Sequence, residues 1–484
     1  MIFTSFTFLV FFCVVFLVYH LVLKERTNLQ NILLLAASYF FYGYADWRML
    51  PILLVATVVY YVLGISIERL EDKQASIVKT IGVLIGILVL GYFKYFNFFV
   101  DSFASILTHC GINVHPHTFN IIMPLGISFF TFRLLSYVME INRKRISACR
   151  NFVNFATYVA FFPCILSGPI DRPNTFLPQL EKKRVFDYSL TVDGCRQILW
   201  GVFKKVVIAD NLATYVDPLW SNIEQTSGST LLLGIVLYYI QLYADFSGYT
   251  DIAIGMSKTL GLKISNNFKT PLFALNIADY WKRWHISLTS WLTDYIFMPL
   301  NVKYRDAGKW GVILAIMVTF TVSGLWHGAN WTYVLWGVYH GLLYIPLILL
   351  GAFYKKAKIK TNRLGLPMLK DVGRMLLTTT LVVIGLILFR APDVQTAWGY
   401  LCGICNGSIL TVPNLISYYF YIPMIISIAL MIVVEWIERK NDGYPTFSLF
   451  VSNKVMRWGF YILLLAMILV WGAFNNQQYI YFQF

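Results

Sequence analysis

The chain reads as an all-α polytopic membrane protein, and three observations carry that reading. Of its 484 residues, 58% are hydrophobic and only 13% are charged, about half the charged share of a soluble globular domain. Mean hydropathy is +0.63. Apolar runs near the ~20 residues that cross ~30 Å of hydrocarbon follow one another along the whole length.

The first run, 2–23, is too long for the apolar core of a signal peptide and has no basic stretch before it. Lys24 and Arg26 follow it instead, so it is expected to be the first span. Runs 28–44, 50–66, 77–93 and 120–139 come next. Loop charge orients them by the positive-inside rule. Lys24 and Arg26 put the end of the first span inside and the amino terminus outside. Counting alternately, Arg69, Lys73 and Lys79 fall inside, as do Arg143, Lys144, Arg145 and Arg150. The stretch "DSFASILTHCGINVHPHTFN" (101–120) has no Lys or Arg and lands outside. The net charge of +15 therefore marks membrane orientation rather than nucleic-acid binding.

The middle of the chain does not alternate. Lys182-Lys183-Arg184, Lys204-Lys205, Lys258, Lys263, Lys269, Lys282 and Arg283 are all basic, yet few apolar runs separate them. Runs 151–166 and 229–247 are expected to enter from the inside and return to it. Such broken segments survive at membrane depth only where protein or a water-filled cavity shelters the backbone. "FFPCILSGPIDRPNTFLPQL" (161–180) holds four prolines and a glycine and cannot form one regular span. Ordinary runs resume at 310–326, 331–351, 372–389, 416–436 and 456–473, with the clusters Lys355–Arg363 and Arg439–Lys440 inside. The expectation is one integral membrane domain over 1–484. It has amino-terminal spans to 139, a polar-lined core over 140–351, and carboxy-terminal spans over 352–484.

Polar residues inside this core are where chemistry is sought. On a helix, Tyr238, Gln241, Asp245 and Tyr249 form one stripe. A carboxylate at the bilayer centre costs ~2.5–3.5 kcal/mol, so Asp245 should face a partner or a cavity. A helix-packing network and the wall of a substrate tunnel both satisfy that. Residues 266–300 mix basic, aromatic and polar side chains as an interfacial segment does. There, Lys282 and Arg283 next to His285 would suit an anionic donor such as a nucleotide-tailed thioester. "VSGLWHGANWTYVLWGVYHGL" (322–342) carries two histidines, three tryptophans and an asparagine in a run apolar enough for lipid. His327 falls at a glycine-flanked helix junction. His340, thirteen residues on, would lie ~20 Å away along a helix, too far to share a metal or a proton, and is expected to pack.

No nucleophile elbow, zinc-protease or phosphate-loop pattern occurs. A histidine acting as general base on a bound hydroxyl is the economical mechanism. The seven cysteines lack zinc-finger spacing, and Cys402 and Cys405 are expected to be inert packing. No metal site is expected.

Five collinear stretches carry a resemblance: 124–143, 161–180, 241–261, 268–300 and 324–341. Stretches 37–47 and 91–99 extend it toward the amino terminus. Together they resemble the bacterial branch of the membrane-bound O-acyltransferases (MBOAT), the branch of the alginate O-acetyltransferase membrane subunits and the teichoic-acid D-alanyl transferases. The resemblance implies a bowl of about 11–13 transmembrane or re-entrant helices around a central channel. A cytosolic thioester, acetyl-CoA by expectation, would enter from below and an acceptor from above, with no bound cofactor. The family histidine falls on His327 and its second polar position on His285. Arg133 departs from the glutamine that this branch leads one to expect. Asp245, Gln241, Tyr249, Trp326, Asn330 and Trp331 would line or support the channel, with Asn330 or an indole N–H stabilising the oxyanion. Lys282 and Arg283 would form the donor entrance. The acceptor would be an extracytoplasmic polysaccharide, reached directly or through an extracytoplasmic partner protein, at the bacterial inner membrane. The rivals are D-alanyl transfer from a carrier protein and, from another class, a transporter or flippase, which would also use broken helices and buried polar residues.

Overall fold

The structure, a computed structural model, describes residues 1–112, 121–355, 357–415, 418–439, 453–474 and 479–480. Among these, regular structure is helical apart from an isolated bridge between Thr361 and Pro367. Eight helical stretches among the described residues are long and apolar enough to cross a membrane. The first expected span is present as a shorter apolar helix, Phe6–Val22.

The chain groups into two compact units. One is built from Met1–Ile198 with Ile252–Ser265, the other from Leu199–Asp251 with Asn266–Ile480. This grouping cuts across the expected segments at 139 and 351.

In the first unit, α1 (Phe6–Leu17) is followed by α2 (Thr27–Asp46) and α3 (Leu50–Arg69), each near one bilayer thickness. The next run departs from expectation. Helix α4 (Asp72–Leu90) passes through a π turn at Gly91–Tyr95 into α5 (Phe96–His109), so the first part of the stretch 101–120, which has no Lys or Arg, is helical rather than loop. Residues 113–120 of it lie outside the described residues. Asp72–His109 is 38 residues long, ~57 Å at helical rise. It must tilt or project beyond ~30 Å of hydrocarbon.

The run at 120–139 is also different in kind. Helix α6 (Ile127–Asn142) is buried on every face, including Ser128, Thr131, Arg133, Ser136 and Glu140. It is a core helix rather than a lipid-facing span, because hydropathy alone does not distinguish lipid from protein as the apolar neighbour. Close approach explains how α3 and α4 reach it: a Cβ on Gly64 would stand 2.4 Å from the Tyr137 ring, and one on Gly86 2.9 Å from Leu135. Small residues of this kind let membrane helices pack tightly.

The proline-rich stretch breaks as expected. Helix α7 (Phe152–Ala160) stops at Phe161, and α8 (Pro173–Glu181) restarts at a proline suited to the first turn. The buried backbone between them needs donors, and Arg133 supplies them. Its guanidinium donates to the carbonyls of Tyr158 (3.0 Å) and Pro169 (3.0 Å) and lies 3.9 Å from the Asp171 carboxylate. A glutamine could not reach all three, which gives the unexpected arginine a structural reason.

In the second unit, α15 (Lys309–His327) and α16 (Trp331–Leu349) form a tight pair. A Cβ on Gly324 would sit 2.2 Å from the Tyr333 carbonyl oxygen, and one on Gly337 2.3 Å from that of Phe320. Helix α17 (Leu369–Arg390) covers the pair, and α18 (Val394–Ile404), α19 (Tyr418–Glu438) and α20 (Lys454–Trp471) follow. Cys402 and Cys405 are free and exposed, not packed inside as expected.

Two basic positions taken as loop charges lie inside the protein. Lys204 and Lys205 are 2% and 1% exposed, in the π turn Phe203–Ala209 between α9 (Tyr188–Val202) and α10 (Asp210–Val216). Lys205 Nζ lies 2.7 Å from both Asp210 and Asp245. Lys204 pairs with Asp251 at 2.5 Å and donates to the Ser247 hydroxyl at 2.9 Å. In the first unit, Arg184 is likewise buried, donating to the Tyr19 hydroxyl (2.6 Å) and to the Asn31 side-chain carbonyl. An ionisable group within a membrane protein survives only with such partners.

Candidate active site

His327 is the last residue of α15 and is 4% exposed. Its ring meets Trp326 at 4.8 Å, Trp336 at 5.0 Å and Phe389 at 5.0 Å, all edge to face. The helix ends there because Gly328 adopts an extended backbone and the next helix is capped afresh. His285 is 1% exposed and contacts Phe246 (4.7 Å) and Trp326 (5.8 Å). The Trp326 indole thus touches both imidazoles, bringing together two histidines 42 positions apart. His285 lies outside the long apolar helices, and burial pushes its pKa down to about 3, so the ring is neutral at physiological pH.

His340 is nearer than expected. Trp336 contacts it at 4.9 Å as well as His327 at 5.0 Å, which caps the separation of the two imidazoles at about 10 Å. The ~20 Å expectation counted helical rise alone and missed the lean of side chains toward the preceding turn. Trp336 stands between them, and no cluster of three metal-ligating side chains occurs among the described residues.

A cavity of about 180 Å³ lies next to Trp281, which packs against Trp336 at 5.6 Å and His340 at 5.0 Å. Lys282, Trp281 and Leu288 line it on one side, and Ile316, Phe320 and Ser323 of α15 on the other. Ser323 precedes His327 by four residues, so both lie on one helix face. Lys282 is exposed. Arg283 is already engaged, paired with Asp279 at 2.9 Å and donating to the Lys269 carbonyl at 3.3 Å.

The expected supporting residues divide sharply. Gln241, Asp245 and Tyr249 are buried on one helix, α11 (Gly228–Thr259). Both Asp245 oxygens are committed, one to Lys205 and the other to the Ile480 N–H at 2.8 Å. Tyr249 packs edge-on against Tyr479 at 4.9 Å. The stripe is therefore a packing network at Asp245, not a carboxylate open to a channel. Asn330 caps α16 by accepting from Thr332 N–H at 3.0 Å, and its amide donates to the Pro392 carbonyl at 2.5 Å. The carboxamide oxygen and one of its two N–H donors are thus engaged. Trp331 is 53% exposed, as suits an interfacial tryptophan. Trp336 was not singled out from sequence. It is 3% exposed, and its indole N–H has no acceptor among the described residues. Its only sequence signal was a third tryptophan in a motif already rich in them.

A buried histidine pair joined through one indole is an arrangement for moving a proton out of water's reach. Comparison with known proteins agrees with that chemistry. The sequence profile of the membrane-bound O-acyltransferase family matches residues 6–384, and the chain belongs to that family: it is a multi-pass, membrane-bound O-acyltransferase. The probable alginate O-acetylase AlgI of Azotobacter vinelandii is 37% identical over 403 residues, covering 82% of this chain and 77% of that protein. The peptidoglycan O-acetyltransferase of Helicobacter pylori is 29% identical over 93% of this chain and 84% of its own length. The teichoic acid D-alanyltransferase of Bacillus subtilis is 32% identical over 51% of this chain and 63% of its own.

Proposed function

We propose that this protein takes an acetyl group from a cytosolic thioester and passes it through the membrane for O-acetylation of an extracytoplasmic polysaccharide, directly or through a partner protein. The observation that carries the reading is the histidine pair bridged by Trp326, with a cavity lined by Lys282 and Trp281 nearby, where Trp281 packs against Trp336. At about 180 Å³ that cavity is smaller than the ~300–1,000 Å³ of a drug-sized ligand site. It suits an extended thioester arm, with donor phosphates left outside near Lys282.

In this reading the His327 imidazole accepts the proton of the acceptor hydroxyl, whose oxygen attacks the thioester carbonyl carbon. The carbonyl oxygen becomes an oxyanion, and the buried Trp336 N–H is the donor we assign to it. Collapse breaks the carbon–sulfur bond, and the thiolate leaves with the proton that His327 returns. The base contributes ~10²–10⁴ in rate. His285, held neutral, contacts the same Trp326 indole.

Relatives named for alginate and peptidoglycan acetylation span most of this chain, whereas the D-alanyl relative spans about half. Acetyl is therefore the favoured acyl group. Loop charge supports an inner-membrane orientation with the amino terminus outside. Incubating membranes with acetyl-labelled acetyl-CoA and acceptor tests the proposal. Label appears on the acceptor as the thioester is consumed. Flux of an intact solute with no thioester consumed, with a carrier-protein thioester also tried, would instead establish a transporter.

A further inference from the structure

Four described non-glycine residues have positive φ: Glu25, Lys144, Thr270 and His285. The first two are exposed. The other two are buried and belong to one hairpin, 266–287, with φ of 45° and 46°. Left-handed backbone is unfavourable for a residue with a Cβ and persists only where surrounding contacts over-determine it. At His285 those contacts converge on one residue, through both its main chain and its side chain. The Ile286 N–H donates to the Asn267 carbonyl at 2.9 Å. Asn267 Oδ1 accepts from the Ser287 hydroxyl at 2.6 Å and from its N–H at 3.3 Å. Asn267 Nδ2 points to the Thr250 hydroxyl on α11 at 3.4 Å. One rung further along, the Lys269 N–H donates to the Arg283 carbonyl at 2.9 Å.

We infer that Asn267 is a positioning residue: it clamps the two residues after His285, holds that turn left-handed, and so keeps the imidazole against Trp326 and the His327 cluster. Asn267 is fully buried, so its carboxamide must find partners within the protein. An asparagine is suited to the place because it offers an acceptor to both Ser287 donors and a donor to Thr250 without bringing in a charge. The chemistry and the strain then have a common origin, since a relaxed turn would swing the ring away from Trp326. The inference rests on the proposed function, with His285 taken to act beside His327 in the transfer step.

The experiment combines electron cryomicroscopy of the Asn267→Ala protein with donor affinity and acetyl-transfer rate. Residue 285 is expected to leave the left-handed region and kcat to fall toward the His285→Ala level, with donor Kd changed less than about twofold. The Asn267→Ala/His285→Ala double variant should be no slower than His285→Ala alone, because both act through one group. Ser287→Ala keeps the main-chain bonds, and serves if Asn267→Ala fails to insert; it should show the same pattern at smaller amplitude. A left-handed residue 285 with a wild-type rate in Asn267→Ala overturns the inference, as does a further loss of about tenfold in the double variant. If His285→Ala alone runs at the wild-type rate, it is the role of His285 that fails. The clamp is then judged on conformation alone, and a residue 285 still left-handed in Asn267→Ala refutes it.

Discussion

Replacing Lys205 by methionine removes the one ammonium that two buried carboxylates share. Asp210 and Asp245 each lie 2.7 Å from its Nζ, and the lysine is 1% exposed. Tyr479 also loses a cation 4.3 Å from its ring centroid. Methionine fills similar volume, so little cavity forms and the cost is electrostatic. Stripping one partner from a buried ion pair costs ~3–5 kcal/mol, because the remaining charge is uncompensated. At ~2–4 °C per kcal/mol for mid-sized domains, the midpoint in detergent should fall on the order of 10 °C. Fluorescence-detected size-exclusion chromatography after graded heating reads this. The triple variant Lys205→Met/Asp210→Asn/Asp245→Asn removes the stranded charges and should regain at least half the loss. If Lys205→Met melts with the wild type, or the triple variant melts no higher than the single one, the buried pair is not what holds this region.

Three further outcomes follow from the same geometry. The pKa of His285 is about 3 when folded against ~6.5 unfolded, so its contribution to stability is complete above about pH 6.5. That contribution is lost as pH falls toward 3, by ~1.4 kcal/mol per unit; acidification from 7 to 5 should destabilise the wild type more than His285→Asn, read by melting at each pH. Gly337→Ala places a methyl against the Phe320 carbonyl oxygen (2.3 Å), and the forced separation of α15 and α16 should lower both melting midpoint and transfer rate, whereas Gly399→Ala, with open space at its Cβ, should change neither. Arg133→Ala strips the donors from the Tyr158 and Pro169 carbonyls and should destabilise by ~3–5 kcal/mol, with Arg133→Gln intermediate; an unchanged midpoint for Arg133→Ala would remove its bracing role.

The spans that face lipid were legible because a period-independent apolar run of bilayer length has few other uses; α2, α3, α15, α16 and α17 fall within a few residues of their expected positions. What hydropathy could not show is which apolar helix is wrapped in protein, and α6 is the example. Charged residues misled in the same way. Lys204 and Lys205 look like loop charges until Asp210, Asp245 and Asp251 are brought beside them by folding. Around the site, local spacing could place His327 at a helix junction but could not bring His285 into contact with Trp326. Asn330 carries a polar side chain in a suggestive motif, and spacing alone could not show that its oxygen also caps α16.

The most direct measurement is turnover of acetyl-labelled acetyl-CoA by the purified His327→Ala protein, with donor affinity measured on the same preparation. A general base acts on the hydroxyl in the transition state and not on the bound donor. The variant should therefore bind the donor with the wild-type Kd and lose ~10²–10⁴ in transfer rate. Wild-type turnover by His327→Ala would contradict the account at its centre.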